Sequence, residues 1–185
     1  IGTTPLQLGF LIDPLSALMM VVVTGVSLMV HIYTIGYMAD DPGYQRFFAY
    51  ISLFTFSMLM LVMANNMVQL FFGWEAVGLV SYLLIGFWFK KSTAVFANMK
   101  AFLVNRVGDF GFVLGIGLLF AYTGSMHYGT VFDKSAELAT LGFPGTDWQL
   151  LTVACISLFV GAMGKSAQVP LHTWLPDSME GPTPI

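Results

Sequence analysis

Three charged side chains stand where charge is expensive. Glu75 lies midway along an apolar run from Met67 to Trp88. A carboxylate near a bilayer centre costs about 2.5–3.5 kcal/mol on insertion scales, and such groups mark ion and proton pathways. Asp109 follows Arg106 by one helical turn near the middle of a second apolar run, where Asn98, Phe102, Asn105 and Asp109 recur at helical spacing and give one polar face. Lys165 sits in a third run, with Gly161 and Gln168 on its face. A desolvated lysine holds its proton weakly and a nearby carboxylate strengthens that hold, so moving or neutralising the carboxylate releases the proton. Glu75, Lys165 and Asp109 are therefore candidate proton-relay groups; an arginine at position 165 would never let go.

Pro170 bears on the same chemistry. It withholds a hydrogen bond from the Ser166 carbonyl and its ring crowds that turn, so the helix carrying Lys165 should break or kink between Lys165 and Pro170. Non-helical backbone at membrane depth is tolerated inside protein or beside a watery cavity, and broken helices of this kind form ion sites in transporters. At 1.5 Å per residue Glu75 lies roughly 12 Å past Met67 and Lys165 roughly 22 Å past Leu150. These depths permit a Glu75–Lys165 encounter without establishing one.

Each residue has a plainer role open to it. Glu75 could be a hydrogen-bond hub facing Tyr82 and Gly78, Asp109 a packing partner of Arg106, and Lys165 a cation snorkelling to the interface. His172, just past the break, is equally a relay member or an interfacial residue, while His31 and His127 read as incidental. Gly164-Lys165-Ser166 resembles the end of a phosphate-binding loop, but that loop needs glycine where Phe159 stands.

The elements that must position these groups are membrane helices. Of 185 residues 57% are hydrophobic and 9% charged, against about 25% charged in soluble domains. Net charge is -3 with seven Lys and Arg, which gives no basic surface for nucleic acid. The single cysteine, Cys155, excludes an intrachain disulfide and a cysteine-based metal site. No metal or cofactor motif is present. The expected fold is all-α: a polytopic transmembrane bundle, a single membrane domain over residues 1–185, with five helices over Leu8–Tyr37, Phe47–Ala64, Met67–Phe89, Val95–Tyr122 and Leu150–Gln168, the last broken near Pro170. Asp13-Pro14 is a good helix opening. Gly111 and Gly115 permit close approach of a neighbouring helix. Arg46, Lys90 and Lys91 place the first and third connections on the cytoplasmic side, and residues 124–148 on the other. The start at Ile1 without methionine and the turn-like ending mark an internal piece of a longer protein.

Three blocks in order carry a specific resemblance: Gly73 to Trp88, Lys100 to Asp109, and Gly164 to Asp177, followed by the ending Met179 to Ile185. Together they resemble the chain L (subunit 5) family among the antiporter-like membrane subunits of proton-translocating NADH:quinone oxidoreductase, respiratory complex I. The resemblance implies that Glu75 matches an essential membrane glutamate, Lys165 the lysine on a broken helix, and Asp109 an acidic neighbour of that relay. It implies proton translocation coupled to electron transfer, with NADH, flavin, iron–sulfur clusters and quinone held by partner subunits and no cofactor bound by this chain. It also implies a multi-pass place in the bacterial cytoplasmic membrane beside other membrane subunits. A cation/proton antiporter subunit without redox chemistry, or a structural membrane protein, is the alternative.

Overall fold

The computed structural model describes residues 7–184; the first six residues and Ile185, which fall within the single domain expected over residues 1–185, lie outside the described residues. Among the described residues the chain is helical, with isolated bridges in place of strands. The helices are α1 (Pro14–Tyr37), α2 (Tyr44–Val62), α3 (Met67–Ile85), α4 (Ser92–Thr123), α5 (Tyr128–Asp133), α6 (Ser135–Leu138), α7 (Leu150–Lys165) and α8 (Leu175–Ser178). The first four are long and apolar enough to cross a membrane; α7, with 16 residues, is a shorter apolar helix.

Several helix ends differ from the hydropathy pattern. The first helix begins at Pro14 rather than Leu8. The Asp13 carboxylate accepts the Ser16 N–H at 2.7 Å, and the Ser16 hydroxyl accepts the Asp13 N–H at 2.8 Å, closing a reciprocal capping box. The Ser16 N–H also holds the Asp13 carboxyl below its ordinary value. α2 starts at Tyr44, ahead of the expected Phe47, and stops at Val62; α3 ends at Ile85 and leaves Gly86 to Phe89 in turns; α4 is longer at both ends than the expected Val95–Tyr122. α7 stops at Lys165 instead of Gln168. Its end is a Schellman motif: Ala167 N–H donates to Gly164 O at 3.3 Å and Gln168 N–H to Met163 O at 3.0 Å, with Ala167 at φ 49°.

The chain divides into two compact units. One comprises Phe10–Ala64, Gln69–Phe102 and the stretch from Trp174. Its core is Met38, Phe47, Ile51, Val80, Leu84 and Phe87, with the Phe47 ring edge-on to Phe87 at 5.2 Å. α2 and α3 approach closely at Gly73, where a Cβ would meet the Leu61 backbone at 2.7 Å. The α1–α2 turn is pinned by Asp41, whose Oδ1 accepts the Gly43 N–H at 2.6 Å and Oδ2 the Trp88 indole N–H at 3.0 Å. These donors, the indole foremost, hold the Asp41 carboxyl below its ordinary value. α1 buries only Ser16 and Thr34 and exposes Leu18, Val21, Val26 and Met29.

The other unit contains Asn65–Val68 and Leu103–Thr173. Its organising contact is a glycine seam between α4 and α7. A Cβ on Gly111 would meet Val160 Cγ1 at 2.9 Å, one on Gly115 would meet Leu158 Cγ at 2.7 Å, and one on Gly161 would meet Phe112 Cβ at 2.6 Å. The connection between these helices carries α5 and α6 and a turn closed by Phe143 N–H on Trp148 O at 2.7 Å. Lys134 donates to Thr123 O at 3.0 Å and so satisfies a carbonyl at the end of α4. Burial among apolar neighbours pushes the Tyr128 phenol up to about 12.

Two outcomes follow. Gly161→Ala should destabilise the protein by about 1–3 kcal/mol through overpacking, whereas Gly117→Ala, with nothing within 4 Å of its Cβ, should be neutral or stabilising by up to ~1 kcal/mol; detergent-unfolding midpoints of the two variants test the seam. Because the Asp41 carboxyl is depressed in the folded state, its stabilisation is complete above the ordinary value of 3.8 and is lost as pH falls through the lower folded value. Asp41→Asn should therefore lower the thermal midpoint at neutral pH, and the gap to the parent should close on acidification below 3.8; a gap independent of pH would refute the assignment.

Candidate functional site

Glu75 enters the site from α3, about two turns from the helix start. The side chain is half-buried, and its Oε1 has no contact with solvent. Farther along α3 the Tyr82 ring stands against Phe102 of α4 at 5.6 Å, which fixes the aromatic end of the polar face noted in the sequence. Asn98, on that face, is 7% exposed and fills the space left by Gly86.

Asp109 is the most deeply buried acid of the expected set, at 4% exposure. Arg106 Nη1 lies 3.7 Å from its Oδ2, an i,i+3 ion pair in which the arginine is partly exposed. α4 thus brings a fixed positive charge and a buried carboxylate to one turn.

Lys165 is half-buried and is the last helical residue of α7. That position places its cation among the last carbonyls of the helix, where a positive charge is favoured. The turn that carries it packs directly onto α4: a Cβ on Gly164 would meet Gly108 Cα at 3.4 Å and the Asn105 carbonyl at 3.7 Å. The stretch of α4 beneath Lys165 is therefore the one bearing Asn105, Arg106 and Asp109. The structure gathers Arg106, Asp109 and Lys165 in one compact unit, and Glu75 belongs to the other. His172 is exposed in the turns after the cis Val169–Pro170 bond.

Two polar arrangements escaped sequence reasoning. Lys100 Nζ pairs with Asp177 Oδ2 at 2.7 Å, and Thr93 donates to Glu180 at 3.0 Å, tying the first turns of α4 to the segment around α8. Lys100 entered the sequence reading only as the start of a block of resemblance, because no local pattern links it to Asp177, 77 positions on. His31, read as incidental, is hydrogen-bonded inside the α1–α2 pair: Nδ1 to Ser27 O at 2.7 Å and Nε2 to the Ser52 hydroxyl at 3.2 Å, with Ser27 and Thr55 hydroxyls 2.7 Å apart. The available signal was the recurrence of hydroxyl residues at helical spacing opposite it.

Comparisons with known proteins give the family. The family described as NADH:quinone oxidoreductase/Mrp antiporter, TM, matches residues 64–185, and that described as NADH-Ubiquinone oxidoreductase (complex I), chain 5 N-terminus, matches residues 1–48. NADH-quinone oxidoreductase subunit L of Neisseria meningitidis is 70% identical over the whole chain, which spans 28% of that protein. The chloroplastic NAD(P)H-quinone oxidoreductase subunit 5 of Zygnema circumcarinatum is 56% identical over 97% of the chain, which spans 25% of that protein. Among solved structures, the Mrp complex from Dietzia sp. DQ12-45-1b superposes with a TM-score of 0.81 at 28% identity, over 93% of this chain and 18% of the matched one. The chain thus spans about a quarter of the length of its curated relatives, and with two thirds of it matched by one family it belongs to the NADH:quinone oxidoreductase/Mrp antiporter family of membrane subunits.

Proposed function

We propose that this chain is a stretch of an antiporter-like membrane subunit of NADH:quinone oxidoreductase, and that it carries protons in a multi-pass protein of the bacterial cytoplasmic membrane. The observation that carries the reading is the end of α7: Lys165 closes the helix on the α4 turn that bears the buried Asp109 and its partly exposed partner Arg106. Glu75, Lys165 and Asp109 are the proton-carrying groups. In a low-dielectric site a lysine holds its proton as firmly as neighbouring carboxylates allow, so a change in their charge or position passes a proton on. Arg106 stays charged throughout and keeps Asp109 an acceptor.

Electron transfer from NADH through flavin and iron–sulfur clusters to quinone takes place in partner subunits, and this chain contributes the membrane arm's proton path. The ends bearing Arg46, Lys90 and Lys91 face the cytoplasm, and the connection with α5 and α6 faces the opposite side. The similarity to the Mrp complex supports a second reading, cation/proton exchange without redox chemistry. Sodium-dependent proton exchange in vesicles that oxidise no NADH would favour it.

In the full-length protein within its assembled complex, Glu75→Gln should lower proton pumping and NADH:quinone turnover at least about tenfold, as loss of a general acid–base group does. Wild-type pumping by an assembled Glu75→Gln complex would sink the relay. Lys165→Arg separates chemistry from packing: assembly should persist while pumping is lost, because arginine keeps its proton. Full pumping in Lys165→Arg would make position 165 a structural cation only.

A further inference from the structure

At the basic end of the unit that holds α1 and α2, a cavity of about 330 Å³ opens between the α1–α2 turn and the residues after α3. Arg46, Lys90 and Lys91 line it against a single lining carboxylate, Asp41. Both Asp41 oxygens already accept hydrogen bonds, from the Gly43 N–H and the Trp88 indole. Neither lysine has an ion-pair partner among the described residues, and the Lys91 ammonium sits over the Trp88 ring at 4.4 Å. The Arg46 guanidinium lies over Phe87 and Phe89 at 4.5 and 5.0 Å, donates from Nη2 to Phe87 O at 3.1 Å, and keeps a buried Nε–H with no acceptor. The α2 N-terminus beside it has no side-chain cap, so its backbone N–H groups add positive potential.

The depth of this cavity limits its ligand. It lies at the ends of α1, α2 and α3, where spanning helices meet the headgroup layer. Trp88 is an interfacial anchor residue by type, and Phe89, 57% exposed, presents an apolar ring beside the cations. A ligand here meets three cations and a hydrophobic flank. The anion that combines a phosphodiester with hydrocarbon at that depth is an anionic phospholipid, and basic pockets between membrane helices bind such headgroups.

We propose that this cavity binds the phosphate of an anionic phospholipid, with Arg46, Lys90 and Lys91 as its charge partners and the acyl chains running past Phe89. The site is independent of the proton-carrying residues, so its test does not depend on pumping.

The full-length protein in its assembled complex, purified in detergent, is titrated with phosphatidylglycerol, phosphatidylcholine or inorganic phosphate and followed by native mass spectrometry. The Lys90→Gln/Lys91→Gln double variant should retain one phosphatidylglycerol fewer per subunit, or bind it at least about tenfold more weakly, as two lost juxtamembrane cations require. Lys134→Gln, a cation of the other unit, should match the parent, and phosphatidylcholine binding should not change in any variant. Equal phosphatidylglycerol retention by the double variant and the parent would overturn the proposal. So would an equal loss of phosphatidylcholine, which would mean that the cavity reads chains and not charge. Saturation by inorganic phosphate as effective as by the lipid would instead assign the cavity to a soluble anion.

Discussion

Close approach of two helix backbones decides where Lys165 and Asp109 can sit. Lipid tails are as apolar as leucine, so helices in a membrane associate through packing and polar contacts and not through exclusion of water. Gly111 and Gly115 on α4 and Gly161 on α7 face the opposite helix at distances that leave no room for a Cβ, and Gly108 and Gly164 pack against each other beside them. Once the two backbones lie in contact, the last turn of α7 has one place to go, against Asn105 and Gly108. Lys165 is placed by that contact, and the buried Asp109 with its Arg106 partner is presented on the same length of α4. Small residues therefore do the positioning, and the charged ones they position are those of the proposed relay.

The second constraint is that backbone groups in hydrocarbon need partners. Three helix ends show how this is met. Asp13 and Ser16 satisfy each other's N–H groups at the start of α1, and Lys134 reaches back to Thr123 O at the end of α4. At α7 the Schellman bonds close the helix two residues before a residue in the left-handed region. That residue is Ala167 at φ 49°, where glycine would be the relaxed choice, and an L side chain in such a conformation costs on the order of 1–3 kcal/mol. The strain lies beside Lys165, which ties the exact end of the helix to the residue that the proposed relay uses.

Much of this was legible in the sequence because charge in an apolar run is conspicuous. Glu75 and Asp109 stood out by cost alone, and Asn98, Phe102, Asn105 and Asp109 traced a face that the helix retains. Pro170 announced a break, yet the helix stops at Lys165, earlier than the apolar pattern runs, because hydropathy does not register where hydrogen bonding ends. The same mismatch accounts for Leu8 to Asp13 ahead of α1 and Gly86 to Phe89 after α3: these residues are apolar enough for a span but lie outside the helices. Pairings across long separations were not legible. Lys100 with Asp177, and His31 with Ser52, join residues whose proximity depends on how helices cross, which no local pattern encodes.

The two cations beside Asp109's length of α4 are chemically different, and the difference assigns their work. A guanidinium keeps its charge at any accessible pH and offers a planar fork of donors, so Arg106 fixes a carboxylate without exchanging protons with it. An ammonium is a compact point charge whose proton affinity follows its surroundings closely. In the proposed relay the work divides accordingly: Lys165 and Asp109 are the groups that can exchange a proton, and Arg106 is the one that cannot.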